Sequence, residues 1–143
     1  MLRKNWQLFD LPQIKEKERG NLSFIEGGGR NIPFDIRRVY YLYDVPKSQE
    51  RGMHGHKQLE QLFIAIAGSF EILLDSGETK ENFYLDNPTK GLYVKGGTWR
   101  EIRNFSNGAV CIILASDFYD EKDYLREYKS FLKFARSNNE KNL

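Results

Sequence analysis

A single cysteine, Cys111, rules out a disulfide within the chain. It lies in the apolar run Ala109-Val110-Cys111-Ile112-Ile113-Leu114-Ala115, where a thiol reads as a small buried hydrophobe rather than a nucleophile. One free cysteine also fits a reducing compartment. Long hydrophobic runs are missing too. No segment approaches the ~20 apolar residues of a membrane-crossing helix. The basic start Met1-Leu2-Arg3-Lys4-Asn5-Trp6 leads into no apolar stretch of signal-peptide length. Neither charge is in excess: 22 Lys and Arg against 20 Asp and Glu leave +2, too weak a field to draw nucleic acid by itself. These absences set the expectation of a soluble, cytoplasmic protein with no nucleic-acid and no membrane partner. Histidine is scarce as well, with two in 143 residues, and the placement of those two organises the rest of the reading.

What the chain has is aromatic and β-branched sequence in short pieces. Eight Tyr and ten Phe suit strands, and 143 residues make one domain with a proper core. Strands are expected over 21–26, 35–44, 81–85, 90–95 and 110–115, with two more in 61–77 joined at Ala67-Gly68-Ser69. Gly27-Gly28-Gly29-Arg30 lacks the spacing and context of a phosphate loop and reads as a turn. This rhythm of short strands and turns argues an all-β sandwich or barrel. Only the end changes period. Tyr124, Leu125, Tyr128, Phe131, Leu132 and Ala135 recur at three and four residues, which predicts an amphipathic helix after Asp120-Glu121. The expected organisation is a single domain over 1–136, with an N-terminal strand or arm and a C-terminal helix, and a flexible polar tail over 137–143.

Both histidines fall in Arg51-Gly52-Met53-His54-Gly55-His56-Lys57. At i, i+2 on an extended segment they project to one face, which aims two imidazoles into the interior of a barrel. A metal site and an acid–base pair are both built this way. On the preceding strand Arg38 and Tyr40 share one face, while Arg37, Val39, Tyr41 and Tyr43 share the other. Trp99 and Tyr93 read as sheet packing, and Lys57 as the end of its strand.

Gly52-x-His54-x-His56, four residues, Gln61, six residues, Gly68, and later Gly97, two residues, Arg100, three residues, Asn104 resemble the two conserved motifs of the cupin superfamily. Lys95 stands where the second motif usually has proline, and the opening spacing of the first is not kept. Metal-binding cupins take their ligands from the two histidines, a Glu at the Gln61 position and a His at the Arg100 position. Gln is a weak neutral ligand, and Arg has no lone pair to offer and a permanent charge that repels a cation. Glu60 alternates to the opposite face and is no replacement. The expectation is a metal-free, cofactor-free acid–base site in a cupin-type β-barrel or jelly roll.

The resemblance narrows further. Asn31-Ile32-Pro33-Phe34, Arg38-Val39-Tyr40-Tyr41, the histidine segment, Gly91-Leu92-Tyr93-Val94 and Leu114-Ala115-Ser116-Asp117-Phe118-Tyr119-Asp120 are similar, in collinear order over roughly 15–132, to the sugar 3,4-ketoisomerases of the cupin superfamily. The resemblance implies a homodimer that moves the keto group of dTDP-4-keto-6-deoxyglucose from carbon 4 to carbon 3, toward 3-amino-3,6-dideoxyhexoses. It implies His54 as chief base, Tyr40 as its assistant and His56 in support. The enediolate's developing charge needs a donor or a cation nearby, and Arg100 and Tyr40 are the candidates. Arg51, Arg19, Lys57 and Arg38 are the candidate substrate-binding residues, Arg51 and Arg19 as bidentate partners of a diphosphate. Family members carry His or Arg at the Arg100 position and vary at the Arg19 position. The combination here is mixed, so gluco and galacto products both stay open. A sugar-nucleotide 3,5-epimerase and a non-catalytic nucleotide-sugar-binding cupin are the competing readings.

Overall fold

The computed structural model describes residues 4–141. Twelve strands are described: β1 Trp6–Asp10, β2 Gln13–Ile14, β3 Leu22–Ser23, β4 Arg38–Tyr43, β5 Arg51–His56, β6 Gln61–Ala67, β7 Phe70–Asp75, β8 Lys80–Leu85, β9 Lys90–Val94, β10 Thr98–Arg103, β11 Val110–Ala115 and β12 Tyr124–Leu125. They form two five-stranded antiparallel sheets, ordered β1-β9-β6-β11-β4 and β12-β5-β10-β7-β8, and a separate two-stranded β2-β3 hairpin. The expected all-β architecture with one C-terminal helix is the one the chain adopts.

Alternation decides what lies between the sheets. Phe63 and Ala65 of β6, Cys111 and Ile113 of β11, and Tyr40 and Leu42 of β4 meet Phe70, Ile72 and Leu74 of β7 and Ile102 of β10 in one core. The opposite face of the first sheet is covered as well, by Ile25, Ile32, Phe34 and Ile36 packed on Leu62, Ile64, Tyr93 and Leu114. β11 is thus buried on both faces, which is why its sequence is uninterrupted apolar.

The helix α1, Tyr128–Lys141, corrects the expected helix start. It begins after Tyr124 and Leu125, which pair as a strand with His56 and Gly55 after a short 3-10 turn at Glu121–Asp123. Two apolar residues in line with a helical period satisfied the pattern, but a sheet edge was available and claimed them. The helix also continues through 137–141, residues expected to be a flexible tail; residues 142–143 of that tail lie outside the described residues. Along 21–26 only Leu22–Ser23 is strand.

α1 sits on the outside of the histidine-bearing sheet, where Phe131 and Ala135 pack on Trp99 and Leu125. Gly55 makes that approach possible: a Cβ there would stand 3.0 Å from Phe131 Cδ1 and 3.1 Å from the Thr98 carbonyl oxygen. The residue between the two histidines is small because a helix lies against its face. Gly55→Ala is therefore expected to cost about 1–3 kcal/mol through overpacking, measured by urea denaturation. A variant as stable as the parent would contradict this packing.

Candidate active site

The neighbouring strand sets the geometry around the histidines. Arg100 pairs with His54 and Glu101 with Gly52, so Met53 is an extra residue bulged out of β5. Gly52 and Met53 take positive φ, 83° and 57°. A side chain at Gly52 would also press on the Arg100 backbone oxygen at 3.1 Å. The bulge spends one residue out of register, and His54 and His56 then project together into the barrel. Their Nε2 atoms lie 3.1 Å apart, and their rings meet edge to face.

Each imidazole is fixed at its other nitrogen. His54 Nδ1 lies 2.9 Å from the Gly52 carbonyl oxygen, and His56 Nδ1 lies 3.0 Å from Asp123 Oδ2. Tyr124 covers both rings, at 5.0 Å and 4.4 Å between centroids. Burial, then the Arg100 cation, pull the His54 pKa down to about 4. The same two causes, followed by His54 itself, push His56 lower still. The contact with Asp123 opposes this, but full burial and the three arginines around His56 outweigh one carboxylate. Both rings are neutral at pH 7.

Arg100 is 1% exposed. Its Nη1 donates to Gln61 Oε1, and its Nη2 donates to the Thr98 carbonyl at 2.9 Å. Gln61 Nε2 in turn donates to the Tyr40 hydroxyl at 2.6 Å. The amide thus fills one acceptor position on Tyr40 and leaves its O–H free to donate elsewhere. Burial raises the Tyr40 pKa, against Arg100, and the phenol stays protonated at neutral pH. Burial also brings Arg100 down to about 10. Its Nε–H has no partner among the described residues. Gln61 and Arg100, at the positions where a metal-binding cupin has ligands, hydrogen-bond each other. This donor set does not suit a divalent cation.

A cavity of about 380 Å³ opens between the two sheets. His54, Tyr40, Arg100 and Arg51 line it, joined by Tyr124 and Arg126. His56 and Arg38 line a second cavity of about 420 Å³ with Asp123. Arg38 leans on Tyr40, its guanidinium carbon 5.1 Å from the ring centre. Two candidates fall elsewhere. Arg19 is on the exposed β2-β3 hairpin, paired with Glu16, and lines neither cavity. Lys57 lies outside both linings, just past β5, where its backbone N–H donates to the Asp123 carbonyl at 2.9 Å. Alternation says nothing about a hairpin that leaves the barrel, or about the residue where a strand ends.

The sequence pattern gives Asp123 and Arg126 no role and places Tyr124 on a helix face rather than in the site. They lie about seventy residues beyond the histidines, and their approach to β5 is a tertiary pairing. The one signal was local: Asp120-Glu121 followed by apolar residues, which reads as a helix start. Arg126 is held by Glu121 at 2.5 and 2.8 Å and lies over the Tyr124 ring, its guanidinium carbon 4.2 Å from the centre.

Residues 4–136 match the family described as FdtA: WxcM-like, C-terminal. The chain is 46% identical over 124 residues to the TDP-4-oxo-6-deoxy-alpha-D-glucose-3,4-oxoisomerase of Aneurinibacillus thermoaerophilus, covering 86% of this chain and 88% of that one. The chain belongs to this family. Among solved structures, the sugar 3,4-ketoisomerase QdtA of Thermoanaerobacterium thermosaccharolyticum in complex with TDP superposes with a TM-score of 0.90 at 39% identity, over 96% of this chain and 98% of that one. A histidine-to-asparagine mutant of QdtA was solved in complex with TDP-4-keto-6-deoxyglucose. The TDP-quinovose 3,4-ketoisomerase WlaRB of Campylobacter jejuni superposes at 0.86 with 43% identity, over 91% and 98%.

The depressed histidine pKa links to stability. Folded His54 takes a proton only near pH 4, whereas a free imidazole takes one near 6.5. The unfolded chain therefore binds more protons between those values, and stability falls as pH drops through that window. Thermal unfolding midpoints are expected to fall from pH 6.5 to 4, with a shallower slope in the His54→Asn/His56→Asn double variant. An identical slope in the two proteins would contradict the buried, neutral pair.

Proposed function

We propose that this chain is a metal-independent sugar-nucleotide 3,4-ketoisomerase. It moves the keto group of dTDP-4-keto-6-deoxyglucose from carbon 4 to carbon 3, in the making of 3-amino-3,6-dideoxyhexoses. The observation that carries the reading is the meeting of His54, Tyr40 and Arg100 in one cavity that Arg51 and Arg126 also line. Family membership supports it, as do the activities of the relatives. So does a spacing: the histidine and the arginine altered in two QdtA structures are as far apart in that chain as His54 and Arg100 are here.

The chemistry follows from the residues. The hydrogen on carbon 3 is acidified by the ketone at carbon 4, and the neutral His54 imidazole is the group placed to accept it. When His54 takes the proton, the electron pair of the C3–H bond becomes an enediolate with its charge on the carbon 4 oxygen. Arg100, whose Nε–H in the buried wall has no partner among the described residues, stabilises that charge. Tyr40 gives its proton to this oxygen and regains one from the carbon 3 hydroxyl. The protonated histidine then delivers its proton to carbon 4, leaving the ketone at carbon 3. Arg51 and Arg126 face the diphosphate.

The assembly we infer is a homodimer. β2-β3 is a two-stranded hairpin with Ile14 and Leu22 more than half exposed, too little to stand alone in water. A second copy gives it a surface to rest on and would bring Arg19 to a neighbouring chain. A monomeric mass in sedimentation at micromolar concentration would contradict this. The location we infer is cytoplasmic. Cys111, buried and with its thiol pKa pushed up by burial, suits a reducing compartment, and no helix among the described residues is long and apolar enough to cross a membrane.

The test is to incubate the protein with dTDP-4-keto-6-deoxyglucose and record the NMR spectrum of the product. A 3-keto sugar is expected, and the same spectrum reports the configuration at carbon 4. His54→Asn is expected to lower kcat by about 10²–10⁴-fold, the worth of a positioned general base. Unchanged turnover in that variant would remove His54 from the role. Solvent deuterium entering carbon 5 would mark a 3,5-epimerase instead.

A further inference from the structure

The hydrogens of the histidine pair can be placed from its partners. The Gly52 carbonyl only accepts, so His54 Nδ1, at 2.9 Å from it, carries a hydrogen. Asp123 is an acceptor at each of its side-chain contacts: Oδ1 takes the Gln58 N–H at 2.8 Å, and Oδ2 takes the Leu59 N–H at 3.3 Å and faces His56 Nδ1 at 3.0 Å. His56 Nδ1 therefore carries a hydrogen as well. A neutral imidazole has one N–H, so both Nε2 atoms present lone pairs, and these face each other across 3.1 Å. Two converging lone pairs repel when nothing lies between them and bind one proton jointly when it arrives.

We propose that Asp123 is a positioning residue for the reaction: by keeping the His56 hydrogen on Nδ1, it makes the His54–His56 contact a two-nitrogen receptacle for the proton taken from the sugar. This rests on the ketoisomerase reading with His54 as base. As the C3–H bond breaks, its electron pair passes into the enediolate and its proton settles between the two Nε2 atoms. It leaves that site when the new C4–H bond forms, so the pair ends as it began and no outside donor is needed.

Charge explains why the receptacle is empty at rest and fills during turnover. Arg100 on β10, Arg38 on β4 and Arg126 beyond β12 face the pair as cations, with Glu121 and Asp123 as the anions and Tyr124 against both rings. The cations and burial keep the proton off. Once the enediolate forms beside Arg100 its charge cancels that repulsion, while Asp123 offsets the cation of the filled pair. A lone His54 held down near pH 4 would be a weak base for a carbon acid; the second lone pair and the carboxylate behind it supply what it lacks. Asp123 lines the other cavity, not the one that holds His54. It acts on the sugar only through His56.

The experiment uses full-length protein labelled with ¹⁵N at histidine, with long-range ¹H–¹⁵N correlation spectra near pH 7 alongside steady-state kinetics. The expected wild-type spectrum shows both rings as Nδ1–H tautomers with unprotonated Nε2. In Asp123→Asn, which keeps the side-chain bulk, His56 is expected to populate the other tautomer. Its kcat should fall by about 10²-fold, the low end for a positioned proton-transfer group, with KM unchanged. A wild-type His56 carrying its hydrogen on Nε2 would overturn the proposal whether or not the variant folds. So would an Asp123→Asn protein with an altered tautomer and undiminished kcat. If wild-type protein fails to turn the sugar over, the ketoisomerase reading falls and the proton-receptacle proposal, which rests on it, falls too, while the wild-type spectrum still decides separately whether Asp123 fixes the His56 tautomer.

Discussion

Arg100 is a cation sealed inside the barrel, and no carboxylate contacts it among the described residues. Burying an unpaired charge is costly, and charges act strongly on one another where water is excluded. The interior is one negative charge short. That shortage runs through the site: it lowers the proton affinity of both histidines and opposes the rise that burial gives to Tyr40. Gln61, neutral and able to accept from Arg100 while donating to Tyr40, transmits the arrangement without cancelling the charge. In the reaction we propose, an enediolate at carbon 3 and carbon 4 is the anion this interior lacks, and it forms only on the way to product. On that proposal Arg100 favours the reacting state over the resting one, as catalysis requires.

The backbone positions these groups at modest expense. The bulge at Met53 puts His54 opposite Arg100, and Gly52 tolerates both the positive φ and the crowding against Arg100. Gly55 admits Phe131 on the outer face, so α1 braces the strand from behind while both imidazoles face in. Residues of one seven-residue segment therefore serve the core, the helix contact and the chemistry.

Much of this was legible in the sequence because it depends on strand alternation. A period of two is enough to place His54 and His56 together, to put Tyr40 on the inner face of its strand, and to send Glu60 away from Gln61. The same rule aligned Arg38 with Tyr40 but could not say that its guanidinium lies against the second cavity. The start of the helix was misread because Tyr124 and Leu125 satisfy two periods at once, and only a vacant sheet edge beside β5 decides between them. Asp123 was beyond reach for a related reason. Its carboxylate meets His56 across a tertiary pairing, in a segment whose local pattern speaks of a helix cap. Arg19 stayed uncertain because its hairpin is part of neither sheet.

The most direct test of the central claim, that His54 removes the carbon 3 hydrogen, uses dTDP-4-keto-6-deoxyglucose deuterated at carbon 3. Slower turnover than with the unlabelled sugar and departure of the deuteron from carbon 3 are the predicted results, with both lost in His54→Asn. Conversion to the 3-keto sugar at an equal rate, or with equal loss of the label when His54 is absent, would contradict the account.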